Sequence, residues 1–107
     1  MSKLLNVNDI KEFKENGAVL IRGKFDISWI EKIKKGIKKA KDNPSPRFVN
    51  HTKDKKLPGY YEDFWTWNLH EEFKDFVFNS PTPKIAAELL EAKKVNLVMD
   101  NWFFREA

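Results

Sequence analysis

Residues 95–104 read Val-Asn-Leu-Val-Met-Asp-Asn-Trp-Phe-Phe, and this stretch decides the predicted fold. Apolar residues occupy both odd and even positions, so a strand built from it would be covered on both faces. Such a strand normally lies inside a sheet and pairs with chain that follows it. Only three residues follow it here. We therefore expect a single, incomplete domain over residues 1–107 whose last strand has an open edge.

The composition predicts one small globular domain with a packed core. The 107 residues are 41% hydrophobic and 14% aromatic, which is enough apolar material for a core. Because the chain has no cysteine, a disulfide framework and a thiolate metal site are excluded. No apolar stretch reaches the roughly 20 residues that a membrane-spanning helix needs. We expect a cytoplasmic protein with no membrane partner.

The positive charge of the chain raises the question of nucleic-acid binding. The formal net charge is +4, but the basic residues are 17 lysines and only three arginines, Arg22, Arg47 and Arg105. Arginine is the residue that forms paired hydrogen bonds with phosphates and guanine edges, so its scarcity argues against a nucleic-acid partner. A basic nucleic-acid binder is the third functional hypothesis.

The first fifth of the chain predicts a short helix followed by a strand. Asn6 or Asn8 can cap a helix that begins near Asp9, because either side chain can accept from an unpaired backbone N–H group. Gly17 supplies the left-handed conformation that commonly ends a helix. Residues 18–21, Ala-Val-Leu-Ile, then predict a short buried strand.

The remaining pattern completes an α+β fold with about four helices and a few short strands. Thr82 is predicted to cap the last helix, with Pro83 at its first position. Five aromatic residues between Tyr60 and Trp67 show no clear period, and they either close off the core or line a pocket. The predicted later helices are Ser28–Lys41, Glu71–Phe78 and Lys84–Glu91.

No complete catalytic or metal-binding constellation is present. His70 and Glu72 have the spacing of half a facial iron triad, but Glu72 at the start of a helix is also favoured by the helix dipole, and we prefer that interpretation. The carboxylates Asp42, Glu62 and Asp63 fall in predicted loops without a sign of burial. We therefore assign neither a catalytic residue nor a metal ligand.

Two blocks of the chain carry a family resemblance. The first is residues 16–25, Asn-Gly-Ala-Val-Leu-Ile-Arg-Gly-Lys-Phe, between a short helix and a long one. The second is Phe-Val-Phe-Asn-Ser-Pro at 76–81, Ile-Ala-Ala-Glu-Leu-Leu at 85–90, and the segment from residue 95 to residue 101. Together they resemble the phytanoyl-CoA dioxygenase family of Fe(II)/2-oxoglutarate oxygenases, over most of the chain from Asn6 to Ala107.

The resemblance implies the N-terminal part of a double-stranded β-helix, which is a jelly-roll or cupin-like barrel. In that family a His-x-Asp pair and a distant His hold the iron, and an Arg anchors the cosubstrate. The His-x-Asp pair follows the strand that resembles residues 95–104, so none of these groups can be placed on this chain. Fe(II) and 2-oxoglutarate are thus implied for a complete member, and no cofactor for this chain alone.

The resemblance also implies a set of pocket residues. Met99 and Asn101 share the strand face that approaches the cosubstrate in the family, and Trp65 and Trp67 match the segment near the barrel mouth. We therefore expect Asn101, Met99, Trp65 and Trp67 to line a pocket for the cosubstrate and for a small organic substrate.

The leading hypothesis is an N-terminal fragment, or a shortened member, of this oxygenase family that has no turnover by itself. The alternative is a small self-associating binding protein. In that case Trp102, Phe103 and Phe104 form an edge that pairs with another chain, giving a homodimer through the C-terminal strand.

Overall fold

The computed structural model describes residues 3–107, and these residues form an α+β fold. The predicted class is therefore confirmed. The three strands within that range form one open antiparallel sheet in the order β1-β2-β3. The elements are α1 (Val7–Asn16), α2 (Ile27–Asp42), β1 (Val49–Asn50), β2 (Tyr60–Phe64), α3 (Glu71–Asn79), α4 (Thr82–Leu89) and β3 (Asn101–Arg105).

Helix α1 begins and ends as its sequence predicts. The Asn6 side chain accepts from the Asp9 backbone N–H at 2.8 Å, and the Asp9 carboxylate accepts in return from the Asn6 N–H at 3.2 Å. This reciprocal capping box satisfies two N–H groups that have no partner inside the helix. Gly17 follows the helix at φ 75°, a left-handed conformation that favours glycine.

Helix α2 packs closely against α3 because Gly36 has no side chain. A Cβ atom built on Gly36 would lie 2.7 Å from the Phe73 ring, nearer than a carbon contact allows. The same face of α2 carries Ala40, which is fully buried. Ala40, Phe73 and Trp102 form the buried cluster at the centre of the fold, and around it pack the partly buried Ile33, Ile37, Phe48, Tyr61, Trp67 and Phe104.

Strand β2 is the centre of the sheet, which the sequence did not predict. It pairs antiparallel with β1, where Val49 lies opposite Glu62, and with β3, where Glu62 lies opposite Phe103. The aromatic segment of residues 60–64 therefore forms the middle strand of the sheet. Among residues 3–107 no strand pairs with the outer edge of β3.

Two strand predictions are wrong, and both fail for the same reason. Residues 18–21 form no strand, and Leu20 is 70% exposed. The strand predicted over residues 95–104 is limited to Asn101–Arg105, and residues 95–100 are irregular. A strand exists only where a neighbour accepts its backbone hydrogen bonds, and a local apolar pattern does not reveal that neighbour.

The predicted cap of α4 is also wrong. Pro81, not Thr82, occupies the cap position, and Thr82 is the first residue of the helix. The Ser80 hydroxyl accepts from the Thr82 backbone N–H at 3.2 Å. Ser80 thus supplies the acceptor from one residue before the cap position.

The chain exposes more surface than a compact protein of its mass. Its accessible surface is 8229 Å², against about 6,200 Å² for a typical monomer of this size. Its radius of gyration is 16.3 Å, against about 13 Å for a compact domain. Large apolar side chains are among the exposed residues, including Val7, Ile27, Val98 and Phe103. No helix within residues 3–107 is long and apolar enough to cross a membrane.

Candidate functional site

One face of the sheet packs on the helices, and the other, which we call the open face, points away from them. Side chains alternate along each strand, so Trp102 and Phe104 lie on the covered face together with Tyr61. The open face carries the other residues of the same strands, which are Tyr60, Glu62 and Phe64 from β2 and Asn101, Phe103 and Arg105 from β3.

Stacked aromatic rings form the apolar part of the open face. The Tyr60 and Phe103 rings lie 6.1 Å apart at an interplanar angle of 11°. The Arg105 guanidinium carbon lies 4.9 Å from the centre of the Tyr60 ring, a cation–π arrangement. Phe103 is nevertheless 55% exposed, so a large apolar surface remains in contact with solvent.

The Glu62 carboxylate, also on the open face, contacts two polar side chains, His51 and Asn101. Glu62 Oε1 lies 3.2 Å from His51 Nε2, and Glu62 Oε2 accepts from Asn101 Nδ2 at 3.3 Å. The Glu62 side chain is only 21% exposed. The His51–Glu62 pair was missed at the sequence level. The sequence feature that could have indicated it is the position of Glu62 among aromatic residues, in a segment rich in strand-forming side chains.

A buried carboxylate of β2 binds the loop that follows α2. Asp63 is fully buried, which contradicts the prediction that it is an exposed loop residue. Its oxygens accept from the Ser45 backbone N–H at 2.8 Å, the Ser45 hydroxyl at 2.5 Å and the Phe64 N–H at 2.9 Å. A buried carboxylate needs such donors because burial removes its hydration. Asp63 therefore ties the loop after α2 to β2.

A second carboxylate anchors the chain that leads into β3. Asp100 accepts from the Thr66 backbone N–H at 3.0 Å, the Thr66 hydroxyl at 3.0 Å and the Trp67 N–H at 3.1 Å. In addition, the Trp65 N–H donates to the Asp100 carbonyl oxygen at 2.9 Å. These bonds fix the position of the turn after β2 relative to β3.

Trp65 adopts an unfavourable backbone conformation within this turn. Its φ is 59°, where a bulky side chain is rare and strained. Arg47 holds the turn through hydrogen bonds to the carbonyl oxygens of Phe64 at 3.1 Å and of Trp65 at 2.9 Å. The Trp65 side chain is 51% exposed, with the Arg47 guanidinium carbon 5.8 Å from its ring.

The four predicted pocket residues do not converge on one cavity. Met99 and Asn101 border a cleft of about 380 Å³ between the helices and residues 97–102. The Asn101 side chain itself turns to the open face, where its Nδ2 donates to Glu62. Trp67 lines a different groove, of about 650 Å³ beside α3, and packs edge-on against Phe78. Trp65 lies at the surface of the turn. The structure thus brings together Asn101 and Met99 and leaves both tryptophans elsewhere.

The described residues do not fit an iron site of the facial-triad type. Such a site needs two histidines and a carboxylate around one metal. His51 and Glu62 are adjacent, but no group of three or more His, Cys, Asp or Glu side chains within residues 3–107 is arranged to hold a metal. We therefore derive no chemical step through iron.

His70 and Glu72 belong to the start of α3. His70 occupies the cap position and is buried against Phe73, and Glu72 lies in the first helical turn. Lys39 donates to Glu72 at 2.5 Å, and this hydrogen bond lowers the pKa of Glu72 below its ordinary value. The interpretation of Glu72 as a residue of the first helical turn is therefore confirmed.

Acidic residues of α3 pair with lysines of α2. Lys32 contacts Asp75, and the hydrogen bond between them lowers the pKa of the Asp75 carboxyl. Lys39 pairs with Glu72. Two lysines of α2 are thus paired with carboxylates of the same chain. This pairing leaves less positive charge on α2 to contact the phosphate groups of a nucleic acid.

The three residues predicted to form a self-association edge have different positions. Trp102 is buried, with 7% of its surface exposed. Phe104 is half-buried under the Lys41 ammonium group, which lies 3.7 Å from the ring centre. Phe103 alone of the three presents an exposed ring. Any side-chain contact across this edge therefore depends first on Phe103.

No protein-family model, curated protein or solved structure matches this chain significantly. The resemblance to the dioxygenases thus depends on the quoted residues alone.

Proposed function

We propose that this chain is an N-terminal portion, or a shortened form, of an Fe(II)/2-oxoglutarate oxygenase-like domain of the phytanoyl-CoA dioxygenase type. It contributes the outer helices and the first strands of a jelly-roll wall, and it has no turnover by itself. A complete domain would couple 2-oxoglutarate decarboxylation to oxidation of a small organic substrate.

The observation that carries this proposal is the one-sided cover of the sheet. Helices pack on the face that holds Trp102, while the opposite face presents Glu62, Asn101 and Phe103. In a two-sheet barrel, the uncovered face of such a sheet would point inward and line the cavity. A polar pair among aromatic rings is suitable lining for a pocket that binds a small polar molecule.

The excess surface supports the same proposal. A domain that buries less apolar surface than its mass allows gains less stability than a compact one. Additional strands on the open face would cover Phe103. Further chain packed beside the segment before β3 would cover its exposed apolar residues, which are Leu97, Val98 and Met99.

A binding experiment tests the pocket, and a turnover assay tests the missing activity. In nuclear magnetic resonance spectra of the labelled chain, we expect 2-oxoglutarate to shift the backbone amide signals of Glu62 and Phe103, which flank Asn101 on the open face, in a saturable way. The shift should disappear in Asn101→Ala and persist in Asn96→Ala, a matched change at an exposed position outside the sheet. An unchanged spectrum would refute the pocket.

The turnover assay supplies Fe(II), ascorbate and 2-oxoglutarate to the purified chain and measures succinate. We expect no succinate above the blank without protein, because the described residues provide no complete iron site. Succinate formation that is lost in His51→Ala or Glu62→Gln would overturn the proposed inactivity.

Self-association is a second candidate function, favoured by a specific observation. The outer edge of β3 has no partner strand within residues 3–107, and Phe103 beside it is exposed. Open edges of this kind readily pair with another chain. A homodimer through β3 is the simplest such assembly.

A further inference from the structure

The backbone of β3 alternates between its partner strand and the open edge. Trp65 N–H donates to the Asp100 carbonyl at 2.9 Å, and Glu106 N–H donates to the Gly59 carbonyl at 2.9 Å. In an antiparallel ladder, residues whose groups point to one neighbour alternate with residues that point away from it. Even-numbered residues of β3 therefore point toward β2, and Asn101, Phe103 and Arg105 point their N–H and C=O groups outward.

We propose that β3 pairs antiparallel with β3 of a second copy, about a two-fold axis that passes beside Phe103. The two three-stranded sheets then join into one continuous sheet. This inference rests on the self-association proposed above as the second function, and it adds the surface, the register and the partner.

The pairing is self-complementary in its backbone. With Phe103 opposite Phe103 of the second copy, Asn101 falls opposite Arg105 of that copy, and the reverse holds at the other end. All three are outward-pointing residues, so the strands can form about six backbone hydrogen bonds without rearrangement. An isologous dimer requires this kind of self-complementary patch.

The side chains on the open face also match across this axis. The exposed Phe103 rings meet at the centre, as aromatic cross-strand pairs do in stable sheets. Asn101 donates to Glu62 at 3.3 Å. Its amide oxygen can then accept from the guanidinium of Arg105 of the second copy, once that side chain turns away from the Tyr60 ring of its own chain. Each end of the pairing thus links a carboxylate to a cation through Asn101.

Like charges are kept apart in this register. The two Arg105 side chains lie four residues apart along the joined strands, about 14 Å, which exceeds the Debye length of about 8 Å at physiological salt. A register centred on Arg105 would instead place the two guanidinium groups directly opposite each other, which destabilises a strand pair. Charge therefore favours an axis at Phe103 over one at Arg105.

The chain as a whole exposes enough excess surface to form an interface of ordinary size. The chain exposes 8229 Å², about 2,000 Å² more than a compact monomer of its mass. A standard interface buries roughly 600–1,000 Å² on each partner. The excess surface of the chain is therefore larger than the area that one partner buries in a standard interface.

Sedimentation analysis tests whether the chain associates and whether charge directs the association. We expect a concentration-dependent dimer for the native chain. Arg105→Glu should raise Kd at least about tenfold, because it places a carboxylate beside the Asn101–Glu62 pair. The double variant Glu62→Arg with Arg105→Glu should restore most of the affinity. Lys93→Glu, with the same charge change at an exposed position outside the sheet, should leave Kd unchanged.

Disulfide trapping tests the register, because the chain contains no cysteine of its own. Residues paired across the axis have Cα atoms about 5.5 Å apart, within disulfide range. We expect Phe103→Cys to form a covalent dimer on mild oxidation, and Val49→Cys, on the opposite edge of the sheet, to stay monomeric. Both positions are exposed, and circular dichroism verifies that both variants fold.

The two experiments separate the possible failures. A native chain that stays monomeric at millimolar concentration would overturn both self-association and this inference. A dimer that traps through Val49→Cys but not through Phe103→Cys would retain self-association and overturn the β3 register.

Discussion

The two faces of β3 differ in burial, although they belong to one strand of five residues. On the covered face, Trp102 is buried against Ala40 and Phe73 and joins the core. On the open face, Phe103 lies one residue away and is mostly exposed. The comparison shows that the same residue type, a large aromatic side chain, stabilises the fold on one face and offers a contact surface on the other.

The largest expected loss of stability comes from truncating a buried side chain on the covered face. Trp102→Ala removes a buried ring and leaves a cavity, so we expect a loss of about 3–5 kcal/mol in the free energy of unfolding. Trp102→Phe should cost clearly less. It keeps a ring in the core and removes an indole N–H that has no acceptor among residues 3–107. Urea denaturation measures both variants, and equal losses would contradict the assignment of Trp102 to the core.

The next effect concerns the contact between β2 and the loop that follows α2. Asp63→Ala leaves the Ser45 N–H and hydroxyl without their acceptor inside the protein. We expect a loss of about 2–4 kcal/mol in unfolding free energy. Asp54→Ala is the matched control, because Asp54 also accepts a backbone N–H, from Lys56 at 2.9 Å, but is exposed. If both variants lost the same amount, burial of Asp63 would not matter.

A smaller, pH-dependent effect concerns the helical layer that covers the sheet. The hydrogen bond from Lys39 lowers the pKa of Glu72 from its ordinary 4.5 in the folded chain. Because the folded value is the lower one, the stabilising contribution is present above about pH 4.5 and is lost as the pH falls through the folded pKa.

Melting temperatures between neutral and acidic pH measure this contribution. We expect Glu72→Gln to be less stable than the native chain at neutral pH and to approach it at acidic pH. Glu71→Gln, at an exposed position of the same helical turn, serves as the control. A constant difference between Glu72→Gln and the native chain across the whole range would contradict the prediction.

The smallest effect on folding is expected on the open face. Phe103→Ala removes the stacking contact with Tyr60 but leaves the buried cluster around Trp102 intact, so we expect a loss of about 0.5–1 kcal/mol for the monomer. The measurement is urea denaturation at low protein concentration, beside Trp102→Ala under the same conditions. A loss as large as that of Trp102→Ala would mean that the two faces do not differ in the proposed way.

Much of the helical structure was predictable, because its signals are local. Asn6, Gly17 and the apolar stripe of α2 act within a few residues of themselves, and the observed helices begin and end close to the predicted positions. The strands were less predictable. Residues 18–21 have a better strand pattern than residues 60–64, yet only the latter find partners.

The candidate site was only partly predictable for a related reason. Asn101 and Met99 border one cleft, whereas Trp65 and Trp67 lie elsewhere, so the four residues named by the resemblance do not meet in one pocket. The backbone reversal at Trp65 and the hydrogen bonds of Asp100 set those positions. None of these contacts leaves a period or a motif in the sequence.

By itself, the sequence determined the α+β class, the helix positions and an aromatic strand near residue 103. Each of these follows from side chains that interact with their own neighbourhood. Only the tertiary structure decided that β2 is the central strand, that Asp63 is buried and that Trp102 faces inward while Phe103 faces outward. Those outcomes depend on which distant segments pair, and pairing is a property of the whole chain in three dimensions.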